Sequence, residues 1–274
     1  MAPTLRLVKY QALGNDYLVI DAPCDVDALR PALPRLCDRH RGVGADGLLV
    51  FDPAARSVRV LNPDGSEAEK SGNGLRITAC HAVLEHGAPE AFGLRTVDRL
   101  NAVRVLGVHG PEVRSELDIG VPRFGGDVTL ATRDGDVCCH VVDVGNPHCV
   151  VLGEPVTEER CRRLGPQLER HPRFPARTNV QLAEATGRRA ARCEIWERGA
   201  GYTLASGTSA SAVAATLIRL GMVERAVDVV MPGGRLSVRQ DDGGRLIQAG
   251  PARRVHRCTV DLADLAPPSP PDPA

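Results

Sequence analysis

Two Ala-rich segments of this chain open with the same device. Ser71-Gly72-Asn73-Gly74 leads a run that reaches His81, and Ser206-Gly207-Thr208-Ser209 leads another that reaches Leu220. The two serines stand 135 residues apart (206 minus 71) in a chain of 274, close to half its length. A small hydroxyl residue followed by Gly and then by helix formers reads as an N-cap and a first turn. Spacing of this kind predicts two halves built on one plan. At each helix start the unpaired N–H groups and the macrodipole attract an anion. Brought face to face, the two starts would hold one carboxylate between two side-chain oxygens, a geometry for chemistry on both faces of a carbon atom.

The rest of the chain supplies strands. Short alternating apolar segments recur at Leu5–Val8, Tyr17–Ile20, Gly47–Phe51, Val58–Leu61, Val103–Val108 and Val113–Ile119. They return after the midpoint at Val137–Val142, Cys149–Leu152, Cys193–Trp196, Val227–Met231, Leu236–Val238 and Leu246–Gln248. Turn residues such as Asn62-Pro63-Asp64-Gly65 and Pro232-Gly233-Gly234 punctuate them. Helices are expected over Asp25–Arg39 (interrupted by Pro31 and Pro34), Asn73–Leu84, Thr157–Glu169 and Thr208–Leu220. Each half thus carries one peripheral helix, one Ala-rich helix and many strands. A helix with small residues on all sides belongs inside, wrapped by a curved sheet.

Composition narrows the function classes. Basic and acidic residues balance at 34 each and aromatics make up 3%, so neither a nucleic-acid footprint nor a base-stacking platform is expected. No apolar stretch approaches the ~20 residues of a membrane span, and the start of the chain does not read as a signal peptide. Nine cysteines without a C-x-x-C pair point to a reduced, cytoplasmic setting. Alternation along a strand should send Cys138 and Cys139 to opposite faces. No metal constellation is expected, since His81 and His171 have no Cys or His at ligand spacing. Gly-rich turns here lack a nucleotide-binding pattern, and no cofactor is expected.

Uncharged hydrogen-bonding residues gather near the two helix starts: Asn15, Asn62, Asn146 and Asn179, each in a turn-like setting, with Glu197-Arg198-Gly199 just before the second device. These stretches resemble the diaminopimelate epimerase family, the pyridoxal-phosphate-independent amino-acid racemases and epimerases. The resemblance rests on Leu13-Gly14-Asn15-Asp16, Asp38 through Gly47, Asn62-Pro63-Asp64-Gly65-Ser66-Glu67 and Gly72-Asn73-Gly74-Leu75-Arg76. It continues through Gly145-Asn146-Pro147-His148-Cys149, Glu197-Arg198-Gly199-Ala200-Gly201, Gly207-Thr208 and Pro232-Gly233-Gly234, in family order from about Val8 to Val255.

The resemblance implies an α+β fold of two pseudo-symmetric domains, each a curled, mostly antiparallel sheet around a central helix. The domains are expected at residues 1–121, with 251–265 returning to them, and at 122–250, followed by a disordered tail at 266–274. It further implies a small-molecule amino-acid substrate in the cleft between domains, and a homodimer. Asn62, Asn146, Asn179, Glu197 and Arg198 would hold the distal amino and carboxylate groups, with Asn15 close by. Backbone N–H groups of Gly72, Asn73, Gly207 and Thr208 would grip the reacting α-carboxylate. His148 would support a catalytic side chain, and Tyr202 is a further supporting residue.

By the same resemblance, Ser71 and Ser206 stand where the family has its two catalytic cysteines, one removing the α-proton and the other delivering a proton to the opposite face. A free thiol has a pKa near 8.5, and an alkyl alcohol lies several units higher. A gap of roughly five units costs about 7 kcal/mol, on the order of 10⁵ in rate. Lys70 beside Ser71, Tyr202, Ser209 and the Tyr10-Gln11-Ala12 stretch also depart from the family pattern. The pair reads either as deliberate replacement or as natural divergence. The expectation is an epimerase-like isomerase whose two-base proton transfer is impaired or diverged. A non-epimerising amino-acid-binding protein, and a diverged isomerase, lyase or cyclase in the same cleft, are the alternatives.

Overall fold

The computed structural model describes residues 4–67, 72–97, 99–153 and 155–265. Ser71, Lys70 and the expected tail at 266–274 lie outside the described residues. The first half runs through β1 (Thr4–Ala12), β2 (Asn15–Asp21), the one-turn helices α1 (Val26–Leu29) and α2 (Leu33–Leu36), β3 (Leu48–Asp52) and β4 (Ser57–Leu61). It continues with α3 (Gly72–His86), β5 (Ala91–Arg95), β6 (Leu100–His109) and β7 (Glu112–Gly120). The second comprises β8 (Arg123–Thr132), β9 (Gly135–Asp143), β10 (Pro147–Leu152), α4 (Glu158–Glu169), β11 (Asn179–Gly187), β12 (Ala190–Glu197) and β13 (Gly201–Thr203). It ends with α5 (Gly207–Arg219), β14 (Ala226–Met231), β15 (Gly234–Gln240) and β16 (Leu246–Asp261).

Pairing shows the shared plan. In the first half β2–β3 and β4–β5 are parallel; in the second β10–β11 and β12–β14 are parallel at the corresponding places, and the other pairs are antiparallel. All strands belong to one continuous sheet. β16 pairs with β7 and β15 through its first part and with β1 through its second, which closes β1 to β7 into a barrel. α3 fills that barrel and is buried from Gly72 through Ala82. α5 fills the curled sheet of the second half and is buried from Gly207 through Leu217. Small residues on every side of both helices let strands approach from all directions, as their sequences predict.

The segment expected as one interrupted helix over Asp25–Arg39 is instead α1, a 3₁₀ turn at Arg30–Ala32 and α2. Asp25 caps the first turn by accepting from Ala28 N at 3.1 Å. Pro31 and Pro34 remove the N–H groups a longer helix would need, so only single turns survive. The nine cysteines are free thiols, and Cys138 is exposed while Cys139 is buried, the alternation expected of a strand. Among the described residues no helix is long and apolar enough to cross a membrane.

Candidate active site

The first turns of α3 and α5 meet. A β-carbon built on Gly72 would stand 3.4 Å from Gly207 Cα and 3.6 Å from Thr208 N. One built on Gly207 would stand 2.6 Å from Gln248 Nε2 and 3.1 Å from Arg76 Nη1. Glycine at both positions is what lets the two backbones touch. Ser206 has extended backbone and caps α5, its Oγ accepting from Ser209 N at 3.5 Å. Helix geometry leaves the N–H groups of Gly207 and Thr208 without intrahelical acceptors.

A cavity of about 390 Å³ lies over this junction. Its walls bring together Asn15, Asn62, Gly72, Asn73, Asn146, Asn179, Glu197, Arg198, Ser206, Gly207 and Thr208, from both halves of the chain. Side-chain amides are fixed by neighbours before any ligand arrives. Asn73 Nδ2 donates to Asn15 Oδ1 and to Ala205 O, both at 3.1 Å, and Asn15 Nδ2 donates to Asp46 Oδ2 at 2.6 Å. Asn179 Nδ2 donates to Pro147 O at 2.9 Å, and its Oδ1 accepts from Arg198 N at 3.0 Å. Asn146 Oδ1 lies 3.0 Å from Nε2 of the buried His148, which stands just behind the wall. Asn62 Nδ2 donates to Ser66 Oγ at 2.9 Å.

Two charges set the electrostatics. Arg76 is fully buried directly behind the two glycines. It donates from Nη1 to Gly72 O at 3.4 Å and from Nη2 to Asn73 Oδ1, and its Nε has no partner among the described residues. Burial with no acid beside it pulls the guanidinium down to about 9, still charged at neutral pH. Glu197 is the opposite case. Burial pushes its carboxyl up, the neighbouring Ser206 hydroxyl works against that rise, and the nearby Asp46 carboxylate adds to it. The site therefore offers a cation and two helix starts at its floor, with a reluctant carboxylate beside Ser206 on one side.

Tyr17, Glu67, Gly145 and Ala200 also line the cavity and were not singled out in the sequence. Glu67 belongs to the Asn62–Glu67 motif, and its ion pairs with Arg59 and Arg30 fix the wall it forms. Tyr202 lies elsewhere. It lines an adjoining outer cavity of about 610 Å³ with Asp46, Asp64, Glu197 and Arg198, and its hydroxyl donates to Glu194 Oε2 at 2.7 Å. The inner lining holds no His or Cys among the described residues, so its donor set suits a zwitterion held by hydrogen bonds. A metal-type constellation does exist, but at the other end of α3. Asp21, His81 and His86 converge there, against the expectation that His81 lacks a partner at ligand spacing. Its third member comes from β2, which spacing along the helix does not reveal.

Comparison with known proteins follows this geometry. The sequence model of the family described as diaminopimelate epimerase matches residues 7–109 and 140–255. The chain is 38% identical to diaminopimelate epimerase 2 of Nostoc sp., covering 87% of this chain and 89% of that protein. It is 36% identical to the diaminopimelate epimerase of Azotobacter vinelandii, covering 94% and 99%. Among solved structures, a hydroxyproline epimerase from Agrobacterium vitis with bound trans-4-hydroxy-L-proline superposes with a TM-score of 0.71 at 18% identity, covering 96% and 94%. A phenazine biosynthesis protein of the PhzF family from Bacillus anthracis gives 0.73 at 15%, covering 94% and 99%. These two show a shared fold.

Proposed function

The chain belongs to the diaminopimelate epimerase family and is an isomerase, and on that premise we propose that it acts without a cofactor at the α-carbon of a diaminopimelate-like amino acid. The observation that carries this reading is the junction of two helix starts, backed by the buried Arg76. An α-carboxylate seated there would offset the charge of the buried Arg76, which has no acid beside it among the described residues. The same contacts strengthen as negative charge flows onto that carboxylate when the α-proton leaves. The outer cavity, lined by Asp46, Asp64 and Arg198, suits the ammonium and carboxylate of a distal end.

Proton transfer is where this chain differs. With Ser71 and Ser206 in place of the two thiols, the alcohols are poor bases at neutral pH. A second reading, that a carboxylate takes over on one face, is favoured by Glu197 and Ser206 lining the same cavity. The raised carboxyl then has to ionise before it can accept a proton, so the rate climbs with pH above the usual carboxylate range.

Deuterium incorporation at the α-carbon of diaminopimelate in D₂O tests both. Exchange by the wild type is expected to be slow, and Ser71→Cys/Ser206→Cys is expected to raise it by on the order of 10³-fold or more. If Glu197 is the base, wild-type exchange shows the ascending pH limb and Glu197→Gln abolishes it. Tight binding with no exchange by any variant would instead mark an amino-acid-binding protein. Neither binding nor exchange with any amino acid overturns the reading.

A further inference from the structure

At the far end of α3, roughly 20 Å from the cleft along a helix of this length, a second constellation of chemistry-bearing groups takes no part in the site above. His81 Nε2 lies 2.9 Å from Asp21 Oδ1, and His86 Nε2 lies 3.1 Å from Asp21 Oδ2. The three ligand atoms all fall within 4.8 Å of one another. In a tetrahedral zinc site with bonds of ~2.0–2.1 Å, neighbouring ligand atoms stand about 3.3 Å apart. The two Asp21 sides already stand at 2.9 and 3.1 Å, and a movement of at most about 1.5 Å between the imidazoles completes a coordination triangle.

The groups behind His81 bear on which nitrogen is free. His81 Nδ1 lies 3.0 Å from the hydroxyl of Tyr10, a side chain with no exposed surface, and that hydroxyl lies 3.5 Å from Glu85 Oε1. Arg254 and Arg257 hold Glu85 at 2.7 and 2.8 Å and keep it an acceptor. When Tyr10 donates to Glu85, its oxygen accepts from His81 Nδ1–H, and the Nε2 lone pair then faces the Asp21 carboxylate. A proton or a metal ion between the two satisfies such a contact. Carboxylate–tyrosine–histidine order of this kind is the arrangement that fixes the ring and tautomer of a metal-bound imidazole. His86 is half-exposed and rests its ring on Phe51, with centroids 5.5 Å apart. A cavity of about 320 Å³ opens on Asp21 and His81, with Glu85 and Arg257 in its wall, and supplies an entry path and room for a fourth ligand.

We propose that Asp21, His81 and His86 bind one divalent transition-metal ion of the zinc class, tying the end of β2 to the end of α3 and leaving one coordination position toward this cavity. Two imidazoles and one carboxylate are the borderline donors such ions prefer to Mg²⁺ or Ca²⁺.

The test is calorimetric titration of the chelator-treated full chain with Zn²⁺, paired with the absorption spectrum of the Co²⁺ form. Expected are one equivalent bound at micromolar affinity or tighter, and a Co²⁺ spectrum without a thiolate charge-transfer band. Affinity should fall at least about 100-fold in His86→Ala and about 10-fold in Tyr10→Phe, which removes the partner that orients His81. Zn²⁺ should raise the melting temperature of the wild type and not that of His86→Ala, whose half-exposed side chain can be removed without opening the core. Absence of stoichiometric binding, equal binding by Asp21→Asn and His86→Ala, or a thiolate band pointing to Cys24 or Cys258 would each overturn the proposal.

Discussion

A guanidinium sealed from water with no acid beside it costs folding free energy, several kcal/mol by general experience with buried charges. Arg76 is such a group: its partners are an amide oxygen and a carbonyl, and its Nε has none among the described residues. Among the described residues no acid offsets that cost, whereas a bound carboxylate would. Replacing it by an apolar side chain should therefore separate stability from binding. For Arg76→Met the expected outcome is a ligand-free melting temperature equal to or above that of the wild type. Amino-acid affinity should weaken at least ~10-fold, about 1.4 kcal/mol, and the stabilisation conferred by ligand should shrink with it. Scanning fluorimetry with and without ligand reads both. A large loss of stability with unchanged affinity would make Arg76 a packing residue instead. Arg76 sits within the Gly72–Arg76 motif, yet its role was not legible there. A lone Arg in a helix ordinarily reaches solvent, and only strands arriving from distant parts of the chain bury this one.

Elements set the site's walls, and the clearest case is the contact of α4 with β12. Gly165 lets the helix lie on Trp196: a β-carbon there would stand 2.5 Å from Trp196 Cγ and 2.6 Å from its Cβ. Trp196 Nε1 donates to Glu169 Oε2 at 2.8 Å, and the other oxygen of this buried carboxylate accepts from Gly199 N at 3.0 Å. The brace holds both ends of the turn that carries Glu197 and Arg198. Gly165→Ala overpacks it and should cost about 1–3 kcal/mol, lowering the melting temperature and weakening substrate binding together. Unchanged binding would detach the brace from the site. Strands that alternate, such as β1 and β7, were legible in the sequence, as were α3, α4 and α5 to within a few residues. β11 was not, because its first five residues are all buried and show no alternation. β8 was missed for the opposite reason: most of it is exposed, and Gly125-Gly126 with a register shift interrupt it. β5 is short and carries a central Gly.

For the whole molecule, the spacing of the two serine devices announced a two-fold plan, but not how the halves are fastened. That lies in pairings such as Thr4 with Asp261, far too distant in sequence to leave a local trace. β7 and β16 run antiparallel at the centre, Ser115 opposite Gly250, and beyond them the chain crosses over in both directions. β8 goes on to pair with β9, while the end of β16 returns to β1. A fragment ending at residue 121 therefore lacks the strand that joins β1 to β7, leaving two bare edges around α3. It should show no cooperative thermal transition and should aggregate. Gly120 stands opposite Leu246, so a turn of about four residues can join them in a hairpin. A chimera of 1–120 and 246–265 linked this way regains the closing strand, and calorimetry should show a single transition. Cooperative unfolding of 1–121 alone would mean that closure by β16 is not what holds α3 in place. The floor of the cleft would then owe its position to the first half only.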